Sequence, residues 1–438
     1  MKNAKKLLAI VAAGAALVSM TACGSSNGGS GKSGSKAESG TLSVAWWGNQ
    51  DRNARQAKVN QAFEAAHKDV KVQGQFFEWN DYWKKLSTQV AGHQMPDVIA
   101  MDYSYLKQYV DNGQLLELDK YISDGTIKTA GISKDVLASG QMKGKQYAIS
   151  LGSSSPAMIY NKTVLDKAGL TMPQSLTLDE FEKMSKTVYE KTGYKTNFRY
   201  YEASELLEYV LRGEGKTLFK DKELGVSASE LKPYFQVYQN GIDQGWHLSP
   251  TLFTEIQTGS VEQDPVVYGT SPDRQSWVSF KFTSQLPAMQ KVAKDQDLEL
   301  APWPSANLKK ANYVKPGMFY AISKTCKNPD LAAKYIDFYT NNDEAVKDML
   351  TDRGLPIAEH SLKTVTPMLS ADEQKVVKFL QDVVIPNSSK INPPSPSAAT
   401  TVNTQTLPQV EEALLYKKTD ATAAAKQFHD EANDALKR

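Results

Sequence analysis

The sequence predicts an α/β protein in which parallel strands are joined by helical crossovers, and three observations carry that expectation. Strand-like and helix-like stretches alternate from residue 41 to residue 113. Helix-capping signatures then recur through the second half. The chain beyond residue 40 is about 400 residues long, ample for a buried core and most naturally divided into two domains.

Residues 41–47 alternate apolar and small side chains and break at Gly48-Asn49, which predicts a first strand. Val59, Phe63 and Ala66 recur at i, i+4 and i+7, predicting a helix over about 51–68 with one core face. Residues 70–77 read as a second strand, and 81–90 as a helix with Trp83, Leu86 and Val90 on one side. A third strand over 97–102 precedes a short helix through Leu106 and Val110 that stops at Asn112-Gly113. Such spacings require parallel pairing, because a helical crossover is how a parallel neighbour is reached.

Residues 147–151 and 157–161 read as two strands separated by a crossing at Gly152 to Pro156. Thr177 with Glu180 forms a capping box, opening a helix whose buried stripe is Phe181, Met184 and Val188. Ser370 with Glu373 repeats the device, and Asn328-Pro329 supplies an N-cap followed by proline at the first helical position. Residues 266–268 and 298–301 are expected to be strands, 385–396 a loop with four prolines, and the chain beyond about 408 mostly helical.

Residues 1–22 read as a targeting segment. Lys2, Lys5 and Lys6 precede an apolar run over 7–17 that is short for a bilayer span, followed by small residues. Thr21-Ala22-Cys23 resembles the lipobox of bacterial lipoproteins, which implies cleavage before Cys23 and lipid on its sulfur. Two acyl chains hold a protein stably to a membrane where one does not. The alternative is an ordinary secretory signal with an incidental cysteine. Removing the three lysines of this segment from the total of 51 Lys plus Arg leaves 48 basic against 49 acidic residues, so charge favours no nucleic-acid partner. Cys23 and Cys326 are the only cysteines, so a lipidated Cys23 leaves Cys326 without a disulfide partner. From residue 24 to 40 the chain has six Gly and six Ser in seventeen positions, a flexible tether spanning roughly 20–25 Å.

Several segments in a shared order then resemble the extracellular solute-binding proteins of ABC sugar importers, the maltose-binding-protein-like family 1. They are Met95-Pro96-Asp97-Val98-Ile99, Gly113-Gln114-Leu115-Leu116-Glu117-Leu118-Asp119, Gly144-Lys145-Gln146-Tyr147-Ala148-Ile149 and Ile159-Tyr160-Asn161-Lys162. Further on come Ser276-Trp277, Gln285-Leu286-Pro287, Lys315-Pro316-Gly317-Met318-Phe319 and Arg353-Gly354-Leu355-Pro356. The resemblance implies a two-lobe periplasmic-binding-protein fold of the type II, Venus-flytrap kind, with hinge strands between lobes. It implies a first lobe of 41–149 plus 267–322 and a second of 150–266 plus 323–438, behind a signal peptide (1–22) and a lipidated, tethered segment (23–40). It further implies a monomer on the outer face of the cell membrane of a Gram-positive bacterium. There it would bind an oligosaccharide for delivery to permease subunits, with no catalysis and no cofactor.

Ligands of open α/β sheets sit beyond the carboxyl ends of strands. A pyranose offers an apolar face and a rim of hydroxyls, which flat aromatics and fork-shaped polar side chains match. Successive strand ends supply Trp47, Asn49, Asp51, then Glu78 and Trp79, then Asp102 and Tyr103, with Ser153 and Ser154 at the crossing. Trp46 and Trp83 are assigned to core by strand alternation and helix phase. Trp47 and Trp79 stay open between core and ligand, Asp51 equally suits a helix cap, and Asp102 and Tyr103 equally suit a turn. Trp246, Trp277 and Trp303 stand beside turn residues, and Trp277 is favoured because it lies in a segment shared with the family. Lys315, Gly317, Met318 and Arg353 enter as candidates through the resemblance alone.

Enzymatic alternatives find little support. Gly213-Glu214-Gly215-Lys216-Thr217 ends like a P-loop, but Val210 stands where the first Gly is required. The five histidines show no metal-ligand spacing, and no Gly-x-Ser-x-Gly elbow occurs. A carboxylate pair for glycoside hydrolysis leaves a surface-anchored glycoside hydrolase as the alternative reading.

Overall fold

The computed structural model describes residues 39–437 except 202–203, 257–258 and 270. The targeting segment, Cys23 and all but the end of the tether lie outside the described residues.

The chain opens with β1 (Gly40–Trp47), α1 (Gln50–Ala66), β2 (Val70–Phe77), α2 (Trp79–Ala91), β3 (Val98–Met101) and α3 (Tyr103–Asp111). β1 runs parallel to β2 from Gly40↔Val70 to Trp47↔Phe77, and parallel to β3 at Val44↔Val98. α1 and α3 start where a strand ends because the joining residue caps them: the Asn49 side chain accepts from Arg52 N, and that of Asp102 from Ser104 N, whereas Glu78 before α2 makes no side-chain cap bond. Val59 and Phe63 of the predicted face of α1 are buried, whereas Ala66, at the end of the helix, is exposed.

Next come β4 (Ala148–Ser150), β5 (Ser153–Ser154) and β6 (Pro156–Asn161). Helices α4 (Leu178–Thr192), α5 (Glu205–Gly213) and α6 (Ala228–Asp243) follow, then β7 (Val278–Phe282), β8 (Leu298–Ala301), β9 (Lys315–Pro316) and β10 (Phe319–Ile322). The chain ends through α7 (Pro329–Asn341), α8 (Ala371–Phe379), α9 (Leu407–Leu415) and α10 (Ala421–Leu436). Both expected capping boxes form, at Thr177 with Glu180 and at Ser370 with Glu373.

Two sheets result. The first has the order β2-β1-β3-β10-β4, and the second β7-β6-β8. The first core gathers Leu42, Val44, Phe63, Ile99, Ala321 and Ile336. The second gathers Met158, Phe181, Trp246, Trp277, Phe280 and Phe428. Alternation along β6 turns Met158 into this core, while Ala157 and Ile159 face a smaller cluster with Leu298 and Phe379, so both faces of the second sheet are covered.

Two expectations are corrected. Residues 266–268 form a turn: Asp264 accepts Val266 N on its side chain and Val267 N and Tyr268 N on its carbonyl, which closes the chain before a strand can start. The assignment of 267–322 to the first lobe also differs from the sheets. β7 and β8 pair antiparallel with β6, and only β10, at the end of that span, joins the first sheet between β3 and β4. Leu331, Tyr335 and Ile336 of α7 then fill the first core.

Three segments cross between the cores side by side. Leu151 N donates to Met318 O at 2.7 Å, Gly317 N to Gly152 O at 2.5 Å, and Ser153 and Leu355 exchange bonds of 2.7 and 2.8 Å. Glycine is required here by backbone proximity: a Cβ on Gly317 would sit 2.4 Å from Arg353 O. One on Gly354, at φ +98°, would sit 2.3 Å from Ser153 O. Gly269, by contrast, lies against Arg274 and Gln275 in a loop of the second-sheet side, and its neighbour Thr270 lies outside the described residues. Among the described residues no helix is long and apolar enough to cross a membrane.

Candidate functional site

A cleft of about 590 Å³, counting its open mouth, lies where the carboxyl ends of β1 and β7 face each other above the crossing segments. Trp47, Arg52, Trp79 and Asp102 form the wall on the first-sheet side, and Tyr200, Lys281, Phe282, Ser284 and Gln285 the wall on the second. Ser154, Lys315, Pro316, Gly317, Met318, Asp352 and Arg353 form the floor.

The first wall is held rigid by its own aromatic packing. Trp47 meets Trp79 edge to face with ring centroids 4.9 Å apart, and both lean on Trp83 at 5.5 Å. Trp47 and Trp79 are 5% and 6% exposed, so each offers only an edge or part of a face to the cleft. On the second wall Tyr200 and Phe282 meet at 5.5 Å, and both rest on Trp303. Lys315 lies 4.5 Å above the Phe282 ring.

Charged groups are fixed in pairs. Arg52 Nε donates to Asp352 Oδ2 at 2.7 Å and its Nη2 to Asp352 O at 3.0 Å, tying α1 to the third crossing segment. Burial works against the Asp352 carboxylate, but Arg52 and Arg353 outweigh it and hold its pKa below the usual range. Arg353 donates to Tyr339 Oη and Gln56 Oε1, each at 3.3 Å, and touches the Met318 sulfur. Lys315 stands 3.5 Å from Asp102 and 3.3 Å from Glu205, one from each side of the cleft. Lys281 stands 3.1 Å from Asp264.

Of the residues expected at the site, Trp47, Trp79, Asp102, Ser154, Lys315, Gly317, Met318 and Arg353 line this cleft. Asn49 is spent capping α1. Asp51 is exposed and bridges the sides through Lys291 at 2.5 Å. Glu78, next to Trp79, does not line the cleft; desolvation, then Glu262 and Asp81, raise its pKa. Tyr103 lines a neighbouring cavity with Glu205 and Arg212, its hydroxyl donating to Asn392 O at 3.1 Å. Ser153 is committed to backbone pairing with Leu355.

Trp246 and Trp277 are corrected: both are fully buried in the second core and turn no face to the cleft. Gly245 takes φ +79° and folds Trp246 back onto Gly241 of α6. Trp277 precedes β7 at its end remote from the cleft and donates its Nε1 to Thr196 Oγ1 at 2.8 Å. Arg52, Tyr200, Lys281, Phe282 and Asp352 were not foreseen. Reading Val278-Ser-Phe-Lys-Phe282 as an alternating strand would have pointed to residues 281–285 by the carboxyl-end rule. Among the described residues no group of three or more His, Cys, Asp or Glu could hold a metal ion.

Two lobes facing each other over a cleft, joined by short crossing segments, define a solute-binding architecture. The chain belongs to the bacterial extracellular solute-binding protein family, whose model matches residues 58–376. It is 24% identical over 340 residues to the maltotriose-binding protein of Pyrococcus abyssi, covering 75% of this chain and 69% of that protein. It resembles a family 1 extracellular solute-binding protein from Alicyclobacillus acidocaldarius with 27% identity and a TM-score of 0.65, over 92% of this chain and all of that one. The fold is also that of a Yersinia enterocolitica periplasmic oligogalacturonide-binding protein solved with saturated digalacturonic acid. Identity there is 19% and the TM-score 0.77, over 91% and 99% of the two chains.

Proposed function

We propose that this protein captures an oligosaccharide between its two lobes and delivers it, chemically unchanged, to the permease of an ABC importer. The observation that carries the reading is the cleft itself. Aromatic rings on both walls match the apolar face of a sugar, and pre-positioned Asp102, Lys315, Asp352 and Arg353 match its hydroxyl rim. Family membership and the maltotriose-binding relative support a sugar as the ligand. Both carboxylates lining the cleft are ion-paired, which suits fixed hydroxyl acceptors rather than a general acid, whose pKa has to be raised.

The lobes are taken as 39–151 with 319–349 and as 156–313 with 356–437, hinged at the three glycine-bearing crossings. A ligand touching both walls binds the closed form better and shifts the equilibrium by that difference alone. The pattern of residues 1–23 supports a lipid anchor at Cys23, with the Gly/Ser segment as tether to a monomer working beside its permease.

The test is calorimetry with a panel of oligosaccharides, with chromatography of each sugar afterwards. Saturable binding and an intact sugar are expected; shorter products would replace this reading with hydrolysis.

A further inference from the structure

The charges of the cleft balance. Its cations are Arg52, Lys281, Lys315 and Arg353. Against them stand four carboxylates: Asp352 between the two arginines, Asp102 and Glu205 at Lys315, and Asp264 at Lys281, all within 4 Å. Neither oxygen of Asp264 is a reserve for a ligand: Oδ2, which faces Lys281, also accepts from Ser279 Oγ at 2.7 Å, and Oδ1 accepts from Val266 N at 3.0 Å. A ligand carboxylate would enter a site whose positive charges are already matched, and its lost hydration would have no new counter-charge to replace it.

Carboxylates beside the first wall add repulsion. Glu78 precedes the wall residue Trp79, Asp81 follows on α2, and Glu262 approaches from the loop of the second side, close enough that, after desolvation, both raise the Glu78 pKa. The position a Cβ of Gly259 would take is 3.3 Å from Trp79 Cβ and 3.8 Å from Glu78 Oε2, so the loop that carries Glu262 lies against the wall residue Trp79 and adds negative charge beside it. A hydroxyl rim meets no such penalty: it can donate to a paired carboxylate and accept from a paired cation without disturbing either.

We infer that the cleft selects uncharged saccharides and rejects anionic ones such as uronates, a selection that rests on the proposed saccharide-binding role. The fold alone does not impose it, since the oligogalacturonide-binding neighbour shares that fold.

The experiment titrates the full-length protein with maltotriose, raffinose, diacetylchitobiose and xylotriose on one side and digalacturonic and trigalacturonic acid on the other. The expected result is that a neutral sugar binds and both uronates bind at least about a hundredfold more weakly. Glu205→Gln, which leaves Lys315 with one carboxylate fewer, should narrow that gap by about tenfold, and Glu262→Gln, on an exposed side chain, by less. A uronate bound within about tenfold of the best neutral sugar overturns the inference and leaves the saccharide-binding role standing. No binding by either group overturns both.

Discussion

Trp277 and Phe282 stand at opposite ends of β7 and belong to different parts of the molecule. Phe282, at the carboxyl end, lines the cleft; Trp277, before the amino end, is fully buried. The first sheet divides in the same way, with Trp47 at the carboxyl end of β1 in the cleft wall and Leu42 near its amino end in the core. The direction of the strand decides what an aromatic side chain does, and adjacency to turn residues does not. Turn residues flank both ends of a strand, but only one end opens toward the other lobe.

The largest expected effect tests the buried half of that contrast. Trp277→Ala should lower stability by about 3–5 kcal/mol, because it empties a packed site and strips Thr196 of its indole donor. Calorimetry on the remaining folded protein should show wild-type affinity. Weakened binding with normal stability would move Trp277 to the cleft and break the rule.

Gly354→Ala tests the floor on which both walls are set. Its Cβ would press on the Ser153 carbonyl at 2.3 Å from a left-handed φ, and that carbonyl is held in place by the Leu355 N–H while Gly354 N donates to Thr351 O. A stability loss of roughly 2–3 kcal/mol is expected, together with weaker ligand binding, as the walls are displaced relative to each other. A variant with unchanged melting and affinity would show that the crossing segments do not need their close approach.

Trp47→Ala and Phe282→Ala compare the two walls directly. Each should weaken saccharide binding by roughly 1–2 kcal/mol, about tenfold, with smaller cost to stability than Trp277→Ala. Ser154→Ala should cost less, because its hydroxyl is engaged with Thr283 at 3.1 Å. A loss confined to one wall would mean that the ligand leans on a single lobe, and closure would then lack its driving contact.

What the sequence disclosed follows the same division. The first wall was legible because β1, β2 and β3 are each followed closely by a helix, the alternation of short strand and helix showing in the local sequence, and the carboxyl-end rule then names Trp47, Trp79 and Asp102 as candidates. The second wall was not. β7 is short and follows a turn at 266–268 whose valines imitate a strand, and its partner β6 lies more than a hundred residues upstream. Asp352 was missed for a related reason: its partner Arg52 is 300 residues away, and no local pattern joins them. The interleaving of β10 between β3 and β4 is likewise a long-range fact, absent from any window of the chain.

The smallest expected effect separates the two sides by pH. On the floor, Asp352 has a folded pKa below its ordinary 3.8, so the stability from its pairing with Arg52 is present above that value and is lost only as pH falls through the depressed one. Beside the second wall, on α5, Glu208 behaves oppositely. Desolvation, then Glu205, pushes it up from 4.5 to about 7, with Ser204, Arg212 and Lys315 pulling the other way. Its proton stabilises the fold fully below about 4.5, and that contribution is lost as pH rises through about 7. Between about pH 6 and about pH 8 Asp352 therefore contributes no slope, while Glu208 costs the fold up to about 1 kcal/mol. Buried His247, its pKa lowered by desolvation from 6.5 to about 4, makes stability rise with pH through the lower part of that window in any variant that keeps it. Glu208→Gln keeps the shape and Ser204 contact without the Glu208 titration, so the wild type should lose stability relative to Glu208→Gln as pH rises across the window, while the His247 contribution is common to both. A difference between the two proteins that stays constant from about pH 6 to about pH 8 would remove Glu208 from the pH dependence of the second side.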